Sequence, residues 1–472
     1  MKAKWLPISA AVALALGSVS ASAVDFHGYA RSGLNYASDG GNAYCSGTGT
    51  SGYLVGRLGN ECNTYVELGL SQEVFNKANN KFTVNTLTVW RTYEDNIDYQ
   101  GNSWQAIGGS GGGWGGQQAS LREIWSGYEM PSGMQIWAGK RYYQRKDIHI
   151  MDYYYLNNGG TGFGVENIAV GNLGSVSVAL IKNQGDGSTI DFIDSSSGKP
   201  EPVVIGQSKD VNSWKLDARW NGIPLWSDAS LDVAMIYGWQ NVDDANKQKG
   251  IKANNAFLGH IELTQGNFFG GFNKVVFQYG HDGFMDLGSL NGGNHSGDNI
   301  VPSAKGSGFR LIDWGVIEQP KWNLGYAVMA SHLNVYDENK DEGGKGWSHN
   351  TGNDYAFVIR PAYKWSDFTS TVLEFGYTNL TNHYRENSYN EVNGKKPMDK
   401  DRVKMTKLTL AQQWTPGSHF WARPSIRVFG SWQSGDLMNY KRAHVGMSKN
   451  SDGTWTGKNH QFVLGAQVEA WW

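Results

Sequence analysis

Apolar and polar side chains alternate with a period of two over much of the chain, the pattern of strands with one face in an apolar surrounding. At the C-terminal end Phe462, Leu464, Ala466, Val468, Ala470 and Trp472 share one face, and Gln461, Gly465, Gln467, Glu469 and Trp471 the other. Near the N-terminus Val66, Leu68, Leu70 and Val74 oppose Tyr65, Glu67, Ser71 and Glu73. Between Phe420 and Trp432 the same parity sets Phe420, Ala422, Ile426 and Val428 against Trp421, Arg423, Ser425 and Arg427. Parity also groups Tyr29 with Arg31, and Phe272 with Lys274.

A soluble sandwich alternates in the same way, so the spacing of turns carries the next step. Short turn signals fall at Asn79-Asn80, Pro131 to Gly133, Gly171 to Gly174, Asn221 to Asp228, Gly266 to Gly270, Gln319 to Asn323, Ser366-Asp367 and Thr415 to Ser418. The intervals between them are too long for one strand. Each fits two strands of about 9 to 11 residues joined by a long loop rich in Gly, Asn, Asp and Ser. Examples are Asn183 to Asn212, Asp282 to Gly308 and Tyr336 to Asp354. Eight short turns make nine such units and hence eighteen strands. The expected fold is all-β, an 18-stranded antiparallel transmembrane β-barrel with short turns on one side and long loops on the other. Closing the sheet satisfies every backbone group in lipid.

Composition agrees. The chain has 472 residues, 62 of them Gly, with 20 Trp, 23 Tyr and 18 Phe, enough apolar surface to exclude disorder. Lys plus Arg number 41 against 43 Asp plus Glu, which leaves no basic excess for a phosphate backbone and argues against nucleic acid as a partner. Residues 1–23 read as a signal peptide: a basic start from Met1 to Lys4, an apolar run from Trp5 to Leu16, and a small-x-small end at Ala21-Ser22-Ala23. The barrel domain then spans 24–472. No Cys follows the cleavage site, so a lipid anchor is not indicated, and beyond Val24 no apolar run is long enough for a spanning helix. The two cysteines, Cys45 and Cys62, lie close together in an exported chain and read as a disulfide worth roughly 3 kcal/mol. A catalytic or metal-binding pair is the lesser alternative, without CxxC spacing or nearby His.

In a barrel of this size the lumen admits water and solutes, so function lies with the inward residues. Aromatic rings there sit beside charges: Tyr29 with Arg31, Tyr65 with Glu67, Trp421 with Arg423, Trp471 with Glu469. Sugar rings suit such a surface, because their C–H faces stack on aromatic planes while their hydroxyls need polar partners at the edge. Charge and aromatics are densest from Trp137 to Tyr155, which begins as a strand and runs into a loop suited to a constriction that selects neither sign of ion. Asp147 and Asp152 could form a glycosidase pair, but Arg145 and Lys146 would favour ionisation of both. The run Gly108 to Gly116 lacks the GK[ST] of a nucleotide loop. No catalytic triad order, metal motif or cofactor signature is present, and the reading is not an enzyme. The competing classes are a general diffusion porin, which gains nothing from inward aromatics, and a secreted lectin, which the unit length and Trp472 disfavour.

Several stretches resemble maltoporin: Val24 to Gly33, Arg57 to Cys62, Trp137 to Tyr155, Leu408 to Trp414, Trp421-x-Arg423-Pro424-x-x-Arg427, and the terminal Trp471-Trp472. The resemblance spans the chain beyond the signal. It implies a homotrimeric outer-membrane channel for maltose and maltodextrins with an inward-folded constriction loop, in which sugar follows an aromatic slide past a polar track. The slide would comprise Tyr29, Tyr65, Phe272, Trp421 and Trp471, with Trp104, or else Trp114, lent to the neighbouring subunit. The polar track would comprise Arg31, Arg57, Glu67, Arg122, Arg145, Asp147, Asp152 and Tyr154. Asn157 stands where the family carries an acid, which implies a slightly weaker cation preference. A sucrose-type porin is the nearest competitor, but its pattern replaces the Arg and Tyr that this chain retains as Arg145 and Tyr154. The resemblance also raises a periplasmic sugar-binding protein and a bacteriophage as partners.

Overall fold

A computed structural model describes residues 24–38, 40, 43, 53–61, 64–91, 118–182, 191–194, 201–204, 211–244, 247, 254–290, 300, 304–335, 351–381, 402–435 and 460–472. The expected signal peptide, Cys45, Cys62, Trp104 and Trp114 lie outside these residues. In chain order the strands begin with β1 (Asp25–Ala37), β2 (Tyr65–Lys77), β3 (Asn80–Arg91), β4 (Gln118–Glu129) and β5 (Gln135–Arg141). The connection that follows holds β6 (Lys146–Ile148) and β7 (Tyr153–Leu156), a small hairpin of its own. Next come β8 (Gly160–Ala169) and β9 (Ser175–Lys182), a second small hairpin of β10 (Asp191–Asp194) and β11 (Glu201–Val204), then β12 (Val211–Pro224) and β13 (Ala229–Val242). The remainder are β14 (Ala256–Phe268), β15 (Gly271–Asp282), β16 (Gly306–Glu318), β17 (Trp322–Val335), β18 (Gly352–Lys364), β19 (Thr369–Thr381), β20 (Arg402–Trp414), β21 (Ser425–Gly435) and β22 (His460–Trp471).

Eighteen of these strands form one antiparallel sheet, and β1 pairs with both β2 and β22, so the sheet closes on itself. Each expected short turn falls between two barrel strands that pair with each other. The strands run from seven to fourteen residues, most of them longer than the expected span, because a tilted strand continues past the hydrocarbon band at both ends. Among the described residues no helix is long and apolar enough to cross a membrane.

The outer face is apolar. In β16 Phe309 and Leu311 are 46% and 51% exposed, while Arg310 and Ile312 between and after them are fully buried. Trp226, Phe269, Trp322, Trp365 and Phe368 ring the short-turn end as an exposed aromatic belt, and Tyr36, Tyr355 and Trp432 lie toward the other end.

The inner face departs from the simple alternation. Ile236, Leu258, Val276, Ile312, Met329 and Val358, one from each of β13 to β18, form a buried cluster with Ile148, Ile150, Met151, Tyr153, Tyr155 and Leu156 of the β5–β8 connection. These strands therefore carry large apolar residues on both faces, interspersed inside with buried polar ones such as Glu262, Gln278 and Arg310, because their inner residues pack against protein and not against water. The residues Tyr53 to Asn60 of the β1–β2 connection join the same filling: Tyr53 N donates to Met151 O, and Arg57 N to Ile150 O. Two glycines make the fit. A Cβ on Gly376 would stand 2.1 Å from the Val55 carbonyl oxygen, and one on Gly325 would stand 2.7 Å from the Phe420 ring.

Parity fails at one predicted place. β20 ends at Trp414 and β21 starts at Ser425, so Phe420 to Pro424 are not strand. Ala422 is buried and Phe420 packs against the inner cluster, where alternation had put both on the outer face.

Candidate functional site

The closing seam assembles the aromatic rings. Tyr29 on β1 stands in register with Glu67 on β2 and with Trp471 on β22. The Tyr29 and Tyr65 ring centroids are 6.1 Å apart, and those of Trp471 and Trp421 are 6.4 Å apart. All four rings are partly exposed, in the order Tyr65, Tyr29, Trp471, Trp421 along the wall. Phe420 extends the run, edge-on to Trp421 at 4.9 Å. Phe272 stands apart on β15, edge-on to Trp314 of β16 at 5.0 Å. Both Phe272 and Phe420 pack against the inner cluster that contains Trp314. Phe420 and Trp314 were not legible as site residues, the first because parity misplaced it and the second because β16 carries large apolar residues on both faces.

The polar residues divide into a buried lattice and a partly exposed set. Arg31 (8% exposed) donates from Nη1 to Glu61 Oε1 at 2.6 Å and to Asp152 Oδ2 at 3.3 Å. Arg57 (4% exposed) meets Glu61 at 2.5 Å and Glu469 at 3.1 Å, and donates to the Tyr29 hydroxyl. Glu469 also receives Arg423 at 2.8 Å and Arg427 at 3.0 Å, and the Arg423 guanidinium lies 4.2 Å from the Trp471 ring centre. Arg31 and Arg57 thus brace the wall beneath the rings. Glu61 and Glu469, the carboxylates that neutralise them, belong to the site as much as the arginines do.

His149 ties the β5–β8 connection to this lattice. Its Nδ1 lies 3.2 Å from Arg57 Nη1 and its Nε2 lies 3.1 Å from Arg423 Nη2. Its ring is 5.4 Å from both Trp421 and Trp471. Burial, with Arg57 and Arg423 beside it, holds the imidazole well below its usual range despite Glu469, so it stays neutral.

Glu67, Arg122, Arg145, Asp147, Asp152 and Tyr154 are partly exposed. Glu67 accepts from Tyr65 at 2.5 Å. Arg122 is aimed inward by a β-bulge: the pairing of β3 with β4 slips between Leu87 and Thr88, so that Arg122 and Glu123 lie between the outward Leu121 and Ile124. Asp152 accepts from the Tyr154 hydroxyl at 3.0 Å. Asn157 is 3% exposed and faces protein, where the open channel was expected. The reason is local: residues 155–160 are all buried as the connection returns to β8.

The two carboxylates shift in opposite directions, although Arg145 and Lys146 were expected to favour ionisation of both. Lys146 is drawn away to Asp232 at 2.5 Å and Glu262 at 3.0 Å. Burial raises Asp147 above the usual carboxylate range, with Arg145 opposing and Asp152 adding to the shift. Burial also acts to raise Asp152, but Arg57, Arg31 and the Tyr154 hydrogen bond outweigh it and hold the group at about 2. The pair therefore offers passing hydroxyls two acceptors, of which Asp147 holds a proton more readily than Asp152. Among the described residues no cluster of His, Cys, Asp or Glu could hold a metal ion.

The family model described as LamB porin matches residues 24–472. The chain belongs to the LamB porin family. It is accordingly a porin of the bacterial outer membrane. Among solved structures it is similar to the outer membrane protein OmpT of Vibrio cholerae in its trimer form, at 14% identity over 96% of this chain and 100% of that one, with a TM-score of 0.39. It is also similar to opdK of Pseudomonas aeruginosa, at 8% identity over 95% and 99% of the two chains, with a TM-score of 0.46. Within the LamB porin family the seam rings and the residues braced around them are the candidate solute path.

Proposed function

We propose that this porin carries maltose and maltodextrins across the outer membrane by facilitated diffusion, as a homotrimer formed after residues 1–23 are removed. The observation that carries the reading is the run Tyr65, Tyr29, Trp471, Trp421, four partly exposed rings flanked by Glu67, Arg145, Asp147 and Asp152. A glucose oligomer presents an apolar face and a hydroxyl edge at every unit, so a ring track beside a polar track matches it along its length. The β5–β8 connection, folded into the barrel, acts as the constriction that brings the polar groups within reach of the rings. The channel splits no bond and uses no cofactor.

The test is reconstitution into planar bilayers with ion current measured against a panel of sugars. Maltotriose is expected to block the current at lower concentration than sucrose, since the bent fructose unit must pass Arg145 and Tyr154. Equal block by both would shift the reading to a sucrose-type porin, and block by neither to a general diffusion porin. Heat-modifiable migration as a trimer is expected on electrophoresis, and recovery only as a soluble monomer would refute the assembly.

A further inference from the structure

Arg145 is held in an unusual way for a buried or half-buried guanidinium. Its Cζ lies 4.4 Å from the Tyr142 ring centre and 4.4 Å from the Tyr154 ring centre. Among the described residues it makes no hydrogen bond and no salt bridge, whereas Arg31, Arg57, Arg219, Arg360, Arg423 and Arg427 are each paired with a carboxylate. The guanidinium thus lies over two phenol rings, and its N–H groups have no acceptor among the described residues.

We propose that Tyr142 is a positioning residue that sets sugar specificity through Arg145. With Tyr154 it closes a clamp over the guanidinium faces and turns the donor edge toward the hydroxyls of a passing sugar. The inference rests on the sugar-channel reading above and deepens it.

The backbone is arranged for this clamp. Tyr142 follows directly on β5, and its N–H donates to Glu123 Oε1 at 2.7 Å, which fixes where its ring starts. Gln144 adopts φ +41, a left-handed conformation that a non-glycine residue rarely takes. Its side chain is secured from two sides, donating to Glu166 at 2.9 Å and accepting from Asn221 at 3.0 Å. That reversal brings Arg145 back over Tyr142, three residues earlier in the chain. A stacked guanidinium loses side-chain freedom before the sugar arrives, so less entropy is lost on binding. An acidic partner would also hold Arg145 but would consume the N–H groups that a hydroxyl needs.

The test compares Tyr142→Phe, which keeps the ring face, with Tyr142→Leu, which removes it, by maltotriose block of the channel. Tyr142→Leu is expected to weaken block about three- to tenfold and Tyr142→Phe less than about twofold. In an Arg145→Gln background Tyr142→Leu is expected to cost nothing further, because its effect runs through Arg145. Equal losses in Phe and Leu variants, or a full loss that persists in the Arg145→Gln background, would overturn the clamp. Tyr142→Gln serves as a second variant without a ring, and heat-modifiable migration reports folding of each. Should maltotriose fail to block the unaltered channel, the sugar reading itself falls. The clamp is then judged from the structure of the Tyr142→Leu protein, where an unmoved Arg145 would refute it.

Discussion

The Tyr29 hydroxyl donates to Glu469 Oε1 at 3.2 Å across 440 positions of sequence, joining the first strand of the barrel to the last. The same carboxylate neutralises Arg57, Arg423 and Arg427, so it is the common counter-charge of the seam. Glu469→Gln leaves three guanidiniums facing one another in a buried place and is expected to destabilise the barrel by about 3–5 kcal/mol. The check is the temperature at which the folded electrophoretic band converts to the unfolded one. No change would mean that the seam is not held by this charge.

Trp421 meets Trp471, Phe420 and His149 and presents the rest of its ring to the proposed path. Trp421→Ala is expected to weaken maltotriose block by up to about tenfold, on the order of 1 kcal/mol for one stacked sugar unit. Titration of the channel current with maltotriose measures it. A loss no larger than that from substituting an outer-face residue such as Trp365 would remove Trp421 from the track.

Acid should act on the constriction in two steps. Asp147, raised above its ordinary value of 3.8, takes up a proton first as pH falls, while Asp152 keeps its charge down to about 2. Cation preference is therefore expected to decline on the acid side of neutrality through a step lying above 3.8. Reversal potentials measured across pH should lose that step in Asp147→Asn and keep it in Asp152→Asn. For stability the sign at Asp152 is that of a depressed carboxylate. Its contribution is full above pH 3.8 and disappears as pH falls through about 2.

Asn157 is the position where reading by family and reading by structure diverge. A channel-lining site would answer Asn157→Asp with a shifted reversal potential. A side chain only 3% exposed answers instead with lower stability, because a carboxylate there must be taken out of water. The expected outcome is a lower unfolding temperature with an unchanged reversal potential, and a shifted potential in a fully stable protein would refute the burial.

Much of the barrel was legible because lipid imposes a rule on sequence. Every outward position must be apolar and every short turn must reverse the chain, so alternation and the eight turn signals lead to eighteen strands. The seam rings were legible for the same reason, since Tyr29, Tyr65 and Trp471 are aromatic on a face where water would select against them. Three features were not. Ile312 and Trp314 hide in a strand with large apolar residues on both faces, because their partners come from a distant connection. Arg122 reaches the lumen through a one-residue slip that period-two counting cannot register. Phe420 and Ala422 lie beyond the end of β20, where no strand parity applies. The mutual neutralisation of Arg31, Glu61, Arg57 and Glu469 is likewise invisible locally, since it unites three segments far apart in the chain.

The apolar filling along β13 to β18 also bears on how a solute would travel. It occupies one side of the barrel, and the rings of β1, β2 and β22 line the other. On the proposed reading a maltodextrin glides along a single wall, touching protein on one flank and keeping water on the opposite flank. It sheds only part of its hydration at each step, so no station holds it deeply. Passage becomes diffusion along a line of shallow wells, which suits a channel that must release what it recognises.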